Sequence, residues 1–232
     1  MTFKPLFYIP LMLLTPLLIQ AGPVLITGTP ADDSSLPNTP ASPKIGGLIN
    51  FDSLPSCGVF PPDSTCTNYS GTTFAGGVTI SSPDGLYAIP YSAQTAPNEL
   101  FDNSVDGSAN ISISLAGGAG AIGVGIADSD TDASGNPVDI FLQALNSTGG
   151  DLGSAFEVTL PETGGNPGNG YFVIADTTPD IYGLQITQPV GSAGNYSGLA
   201  FDDVQVSPEP STFLLLIGGV AMLGSYRLRK RA

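Results

Sequence analysis

Two stretches of the chain alternate strictly between apolar and small or polar residues: Asn110-Ile-Ser-Ile-Ser-Leu115 and Ala121-Ile-Gly-Val-Gly-Ile126. A period of two puts Ile111, Ile113 and Leu115 on one face, as a half-buried strand requires. Shorter runs of the same kind recur at 48–51, 77–80, 86–91, 138–145, 156–160, 171–175, 181–187 and 199–206, separated by Gly, Pro, Asn or Asp clusters. No helical 3.6-residue pattern lies between the two ends of the chain. About ten short strands with turn residues between them predict an all-β domain over 45–206, an antiparallel β-sandwich or jelly roll. The glycine-rich piece from Gly117 to Gly125 is expected to be a flat or bulged strand.

Charge narrows the function. The 232 residues hold 20 acids, six bases and no His. All the acids lie between residues 22 and 210, where Lys44 is the only base, so that stretch carries a formal charge of −19. Such a field repels phosphate backbones and excludes nucleic acid as a partner. The lack of His removes the commonest metal ligand and general base, and with it most metalloenzyme and Ser-His-Asp designs. Lys44 sits in a linker, away from any Ser-Lys dyad, and no spacing singles out a carboxylate pair for glycoside hydrolysis. The domain therefore reads as non-enzymatic.

Both ends are apolar. Lys4 precedes an apolar run from Pro5 to Ile19, and Gln20-Ala21 offers a small residue before Gly22. This is the pattern of a secretory signal peptide over 1–21, engaging the Sec translocon and signal peptidase and cut between Ala21 and Gly22, with Ala31 as the alternative site. Pro5, Pro10 and Pro16 disfavour a long anchor helix. Residues 22–44, dense in Pro, Ser, Thr and Asp, are expected to form a loose linker. At the other end, residues 207–232 run from Ser207-Pro208-Glu209-Pro210 through an apolar segment, 213–226, to Arg227-Leu228-Arg229-Lys230-Arg231. Fourteen residues at 1.5 Å rise fall short of a hydrocarbon core of about 30 Å, so a helix there would be a marginal single span of the inner membrane. Interfacial Tyr226 and snorkelling Arg side chains make up part of the difference. The basic tail, 227–231, stays cytoplasmic under the positive-inside rule and leaves the domain outside.

These last 26 residues resemble the PEP-CTERM sorting signal of exported bacterial proteins. Pro208, Glu209 and Pro210, the short span and the Arg-rich end stand in the family's order at the chain's end, with Ser207 where Val is usual. The resemblance implies handling by an exosortase, a membrane-embedded cysteine transpeptidase-like enzyme. It also implies Gram-negative-type export, with a product that is first anchored and then surface-associated or extracellular, often beside polysaccharide. A competing match, Leu160-Pro161-Glu162-Thr163-Gly164, resembles the LPxTG sortase motif. It lies 48 residues before the apolar segment, inside the domain, where Pro and Gly-Gly serve a turn. The strands Ile49-Asn50-Phe51-Asp52 and Leu199-Ala200-Phe201-Asp202-Asp203-Val204 are similar to the first and last strands of carbohydrate-binding-type jelly rolls.

Candidate sites follow from residue chemistry. Cys57 and Cys66, an even pair in an exported chain, favour a disulfide over two free thiols. Asp128, Asp130 and Asp132 alternate ahead of Asp139 at the twelfth position, a spacing like an EF-hand loop, but with Ala133 at the turn and Asp139 for the bidentate Glu. The stretch is either a calcium site or a solvated hairpin turn. Asp52 with Asp202 and Asp203 is a second calcium candidate if the terminal strands are neighbours. Calcium is the one cofactor that these residues suggest. Tyr69, Tyr87, Tyr91, Tyr171, Tyr182 and Tyr196 are candidates for stacking on sugars or for packing against the sandwich. The Asn-x-Ser/Thr sequons at Asn68, Asn110, Asn146 and Asn195 are not read as glycosylation sites. The leading expectation is an exported, exosortase-processed protein of the cell surface or extracellular matrix. The alternative is a calcium-dependent carbohydrate-binding module.

Overall fold

A computed structural model of the chain describes residues 22–28, 49, 51–58, 62–90, 98–104, 108–127, 138–160, 169–176, 178, 180–189 and 199–207. The expected signal segment 1–21, the Pro-Glu-Pro motif, the apolar segment 213–226 and the basic tail lie outside these residues. Among the described residues, no helix is long and apolar enough to cross a membrane.

Twelve strands are described, numbered in chain order. The first sheet contains β1 (Val24–Gly28), β4 (Leu86–Ile89), β5 (Glu99–Asp102), β7 (Ala121–Ala127), β10 (Asn169–Ala175) and β12 (Ala200–Ser207). The second contains β2 (Thr72–Phe74), β3 (Val78–Ser81), β6 (Ala109–Ala119), β8 (Asp139–Leu145), β9 (Phe156–Thr159) and β11 (Ile181–Gln188). Their orders are β1-β10-β7-β12-β5-β4 and β2-β3-β6-β11-β8-β9. Every strand pairing is antiparallel. From β5 to β12 every connection but β8–β9 passes from one sheet to the other.

The alternation read from the sequence is what joins the sheets. Ile111 and Ile113 of β6 face the same core as Ile122, Val124 and Ile126 of β7, with Leu142, Leu184, Phe172 and Phe201 between them. Phe51 closes one end, its ring meeting Phe74 edge-on at 5.4 Å and Phe201 at 5.7 Å. Edge-to-face geometry at these distances is the favourable arrangement for aromatic pairs. The chain is thus an all-β sandwich of two antiparallel sheets.

Three local expectations need correction. Residues 24–28, assigned above to the linker, form β1 and pair with β10 along Val24–Gly28. The short Val-Leu-Ile-Thr run is masked in sequence by the apolar segment just before it. The run at 48–51 contributes only an isolated bridge, Ile49 opposite Val204, while β2 and β5 appear where no strand was expected. Acids at both ends of β5 hid its apolar centre, Leu100-Phe101. Finally, β7 and β8 belong to different sheets, so the Asp128–Asp139 stretch joins two sheets and is not a hairpin turn.

Candidate functional site

The two cysteines are bonded. Cys57 and Cys66 form a disulfide with their Cα atoms 5.2 Å apart. The Cys57 backbone N–H donates to the Ala88 carbonyl at 2.6 Å, which docks the cross-linked loop on β4. Within the loop, Asp63 accepts from the Thr65 hydroxyl and from its backbone N–H at 2.8 Å. Those two bonds hold the Asp63 carboxyl below its ordinary range, because both favour the charged form.

The terminal segments are neighbours, as the second calcium candidate required. Ile49 and Val204 exchange two backbone hydrogen bonds, at 2.9 and 3.0 Å. Beside them β12 bulges: Asp202 stands opposite Gly125 and Gln205 opposite Gly123, so Asp203 and Val204 together face Val124. The extra residue gives Asp203 a left-handed φ of 53°, and its N–H donates to the Asp202 carboxylate at 2.8 Å. Asp202 and Asp203 are both buried. The Asp203 charge acts on the buried Tyr171, whose pKa is raised first by burial and then by this carboxylate. Tyr171 Oη has no hydrogen-bond partner among the described residues.

The Asp52 carboxylate accepts from the Asn98 backbone N–H at 3.5 Å, and Asn98 Nδ2 donates to the Asp52 carbonyl at 3.2 Å. Among the described residues, no three His, Cys, Asp or Glu side chains are grouped to hold a metal ion. Asp139 opens β8 and accepts from Thr159 Oγ1 at 2.7 Å, while Asp128, Asp130 and Asp132 lie outside the described residues. Asp102, also buried, is held by Ser82 Oγ at 2.7 Å and the Asn110 N–H at 3.2 Å.

Of the six candidate tyrosines, the structure describes four. Tyr69 and Tyr171 are buried, and Tyr69 Oη donates to the Pro55 carbonyl at 3.2 Å. Tyr87 and Tyr182 are half-buried; Tyr91 and Tyr196 lie outside the described residues.

Sequence reasoning did not single out the outward face of the second sheet. Register places three rows across it: Thr73-Thr79-Ser114-Gly183-Leu145, then Ser81-Ser112-Gln185-Gln143, then Asn110-Thr187-Phe141-Glu157. Asn110 and Ser114 are exposed and Ser112, Gln185 and Thr187 half-buried. Thr73 and Thr79 share a hydroxyl–hydroxyl hydrogen bond of 2.8 Å, and Gln185 Nε2 donates to Asn110 Oδ1. The charges that register places on this face among the described residues are Glu157, Asp139 at the β8–β9 end, and Asp151, which bridges Leu145 at the end of the first row. The signal was present in the polar half of the 110–115 alternation. The outward positions of the first sheet differ: Tyr171, Val173, Ala175 and Ala121 there form a buried cluster of their own.

No protein-family model matches the chain, and no curated protein does. Among solved structures, the chain aligns with the enzymatically active domain of bacteriophage CBA120 tailspike protein 4 at a TM-score of 0.33 and 17% identity. The alignment covers 56% of this chain and 18% of the tailspike chain.

Proposed function

We propose that the chain is an exported, non-catalytic protein of the cell surface or extracellular matrix. In this reading residues 1–21 direct export, and the tail from Pro208 to Arg231 delivers the domain to an exosortase while 213–226 rests in the inner membrane. The observation that carries the reading is the Cys57–Cys66 disulfide, a bond that persists in oxidising compartments and is rare in the cytosol. The strand wiring of β5–β12 supports a jelly roll, an architecture that presents broad sheet faces to partners.

Cell fractionation tests it. Wild-type protein is expected outside the cytoplasm and shortened at both ends. Replacing Glu209 and Pro210 by Ala should leave export intact and trap a tail-bearing precursor in the inner membrane. Normal processing of that variant would remove the sorting role of Pro-Glu-Pro, and a cytoplasmic wild type would remove the whole reading.

A further inference from the structure

We propose that residues 29–48 lie across the outward face of the first sheet, with the Lys44 ammonium seated on the carboxylates of Glu99 and Asp202. In a two-layer sandwich each sheet has one dry face, yet the first sheet has two. Ile122, Val124 and Ile126 face the core, so Gly123 and Gly125 face outward. Register puts Tyr171 of β10, Ala200 and Asp202 of β12 and Glu99 of β5 on the same outward side. All six are buried, and Ala200, Asp202 and Glu99 have no exposed surface. On the second sheet's outward face, Asn110, Ser112, Ser114, Gln143 and Thr187 are exposed or half-buried.

The strand order points to one segment as the cover. Residues 29–48 leave the sheet at Gly28, the end of edge strand β1, and return at Ile49. Ile49 bridges Val204 on the side of β12 away from β7, so β10, β7 and β12 lie between the two ends. At ~4.8 Å per strand the crossing is about 19 Å, well within the reach of 20 residues. The core side is filled by the second sheet, which leaves the outward face or the rim, and the burial selects the face. Among the other long connections, 128–138, 160–168 and 189–199 each pass from one sheet to the other, and 90–98 joins the neighbours β4 and β5.

Charge supplies the second argument. Fully buried carboxylates are costly unless they are paired, and neither Glu99 nor Asp202 is without a partner. Asp202 stands beside Glu99, one step on from Phe201 opposite Leu100. Between residues 22 and 210 the only base is Lys44, five residues before Ile49 and so within ~17 Å of extended chain. The partner of Ile49, Val204, is two residues from Asp202, which brings both acids within reach of the ammonium. The segment also suits a dry face. Pro30, Pro37, Pro40 and Pro43 have no N–H to leave unpaired, and Leu36, Ile45 and Leu48 supply apolar contact. The apolar segment 213–226 has no charge to set against the acids, and a second copy would bring the same negative field.

Lys44 is also the only tryptic site between residues 22 and 210, so trypsin reads its seating directly. The full chain in non-ionic detergent is digested briefly and the Lys44–Ile45 bond followed by mass spectrometry, with cleavage in 227–231 as the check that the protease is active. The bond should be cut roughly a hundredfold more slowly than in a synthetic peptide of residues 40–48, because cleavage must await local opening. A water-soluble carbodiimide should join Lys44 to Glu99 or Asp202 within one chain. Glu99→Gln with Asp202→Asn removes both charges and should speed the cut roughly tenfold. Glu157→Gln, on the second sheet, should leave the rate unchanged. Should the double variant fail to fold, the wild-type rate and the cross-link decide. Wild type cut at the peptide's rate, Lys44 cross-linked only to other acids or to a second chain, or full protection of the folded double variant would overturn the proposal.

Discussion

A methyl group placed on Gly123 would lie 2.2 Å from the hydroxyl oxygen of Tyr171, and 2.8 Å from the ring carbon that bears it. The Tyr171 ring therefore lies across the β7 backbone at a point where only glycine leaves room. Gly123 is also the partner of Gln205 just past the β12 bulge, so one small residue accommodates both the ring and the distortion. Gly123→Ala should lower stability by ~2–4 kcal/mol, the scale of overpacking in a closed site. Adding Tyr171→Phe should recover part of that loss, because the hydroxyl contact disappears while the ring carbon stays close. Chemical denaturation of the four proteins of this double-mutant cycle measures the coupling. Additive effects of the two substitutions would mean that the ring moves aside.

Tyr171 alone makes a second prediction. Its hydroxyl is buried with no partner among the described residues, so Tyr171→Phe removes an uncompensated desolvation and should stabilise by about 1 kcal/mol. The pH dependence has a definite sign. The folded-state pKa is raised above the ordinary 10.0, so the unfolded chain ionises first and the folded state keeps its proton. The contribution is whole below pH 10 and is lost above it, at ~1.4 kcal/mol per pH unit for one proton. Between pH 9 and 11 the wild type should therefore lose more stability than Tyr171→Phe. Asp203→Asn keeps a residue that tolerates the left-handed backbone and removes the charge, so the wild-type loss should shrink.

The disulfide yields a third. The purified protein should have a mass two units below its reduced form, with neither thiol open to alkylation before reduction. Opening a loop of this length costs ~2–3 kcal/mol in the chain-entropy account. Cys57→Ser with Cys66→Ser should show that loss in denaturant titrations while keeping the sandwich core, since the bond clips a loop to β4 and crosses neither sheet.

The sequence was most legible where a strand has one dry face. Residues 110–115 and 121–126 announced β6 and β7 because one side meets the core and the other meets small or polar neighbours. It was least legible where acids enter a sheet. Glu99 and Asp102 flank the apolar pair of β5, and burial of those carboxylates depends on partners distant in sequence, such as Ser82 for Asp102. The sequence left open whether the end segments are neighbours, as Ile49 opposite Val204 shows them to be, and the bulge at Asp203 has no sequence period. The hydroxyl-bearing face of the second sheet was hidden for another reason. Ser and Thr on single strands look like ordinary solvated positions, and only the register across six strands assembles them into rows.

The last prediction concerns the N-terminus. On the proposed export reading, the signal peptide can be cut after Ala21 or after Ala31, and β1 distinguishes the two. A cut after Ala21 leaves Gly22 as the first residue and keeps all five β1–β10 pairs, from Val24 opposite Ala175 to Gly28 opposite Tyr171. A cut after Ala31 removes the strand. It would uncover Leu25's place in the core and Ile26's contact with the Tyr171 cluster, and leave the backbone groups of β10 unpaired along one side. An edge of that kind, flanked by Phe172-Val173-Ile174, is a template for intermolecular pairing. N-terminal sequencing of the exported protein should begin at Gly22. A chain engineered to begin at residue 32 behind a heterologous signal should melt lower and aggregate on heating. An exported protein that begins at Asp32 and melts as a soluble monomer would show that β1 is dispensable to the sandwich.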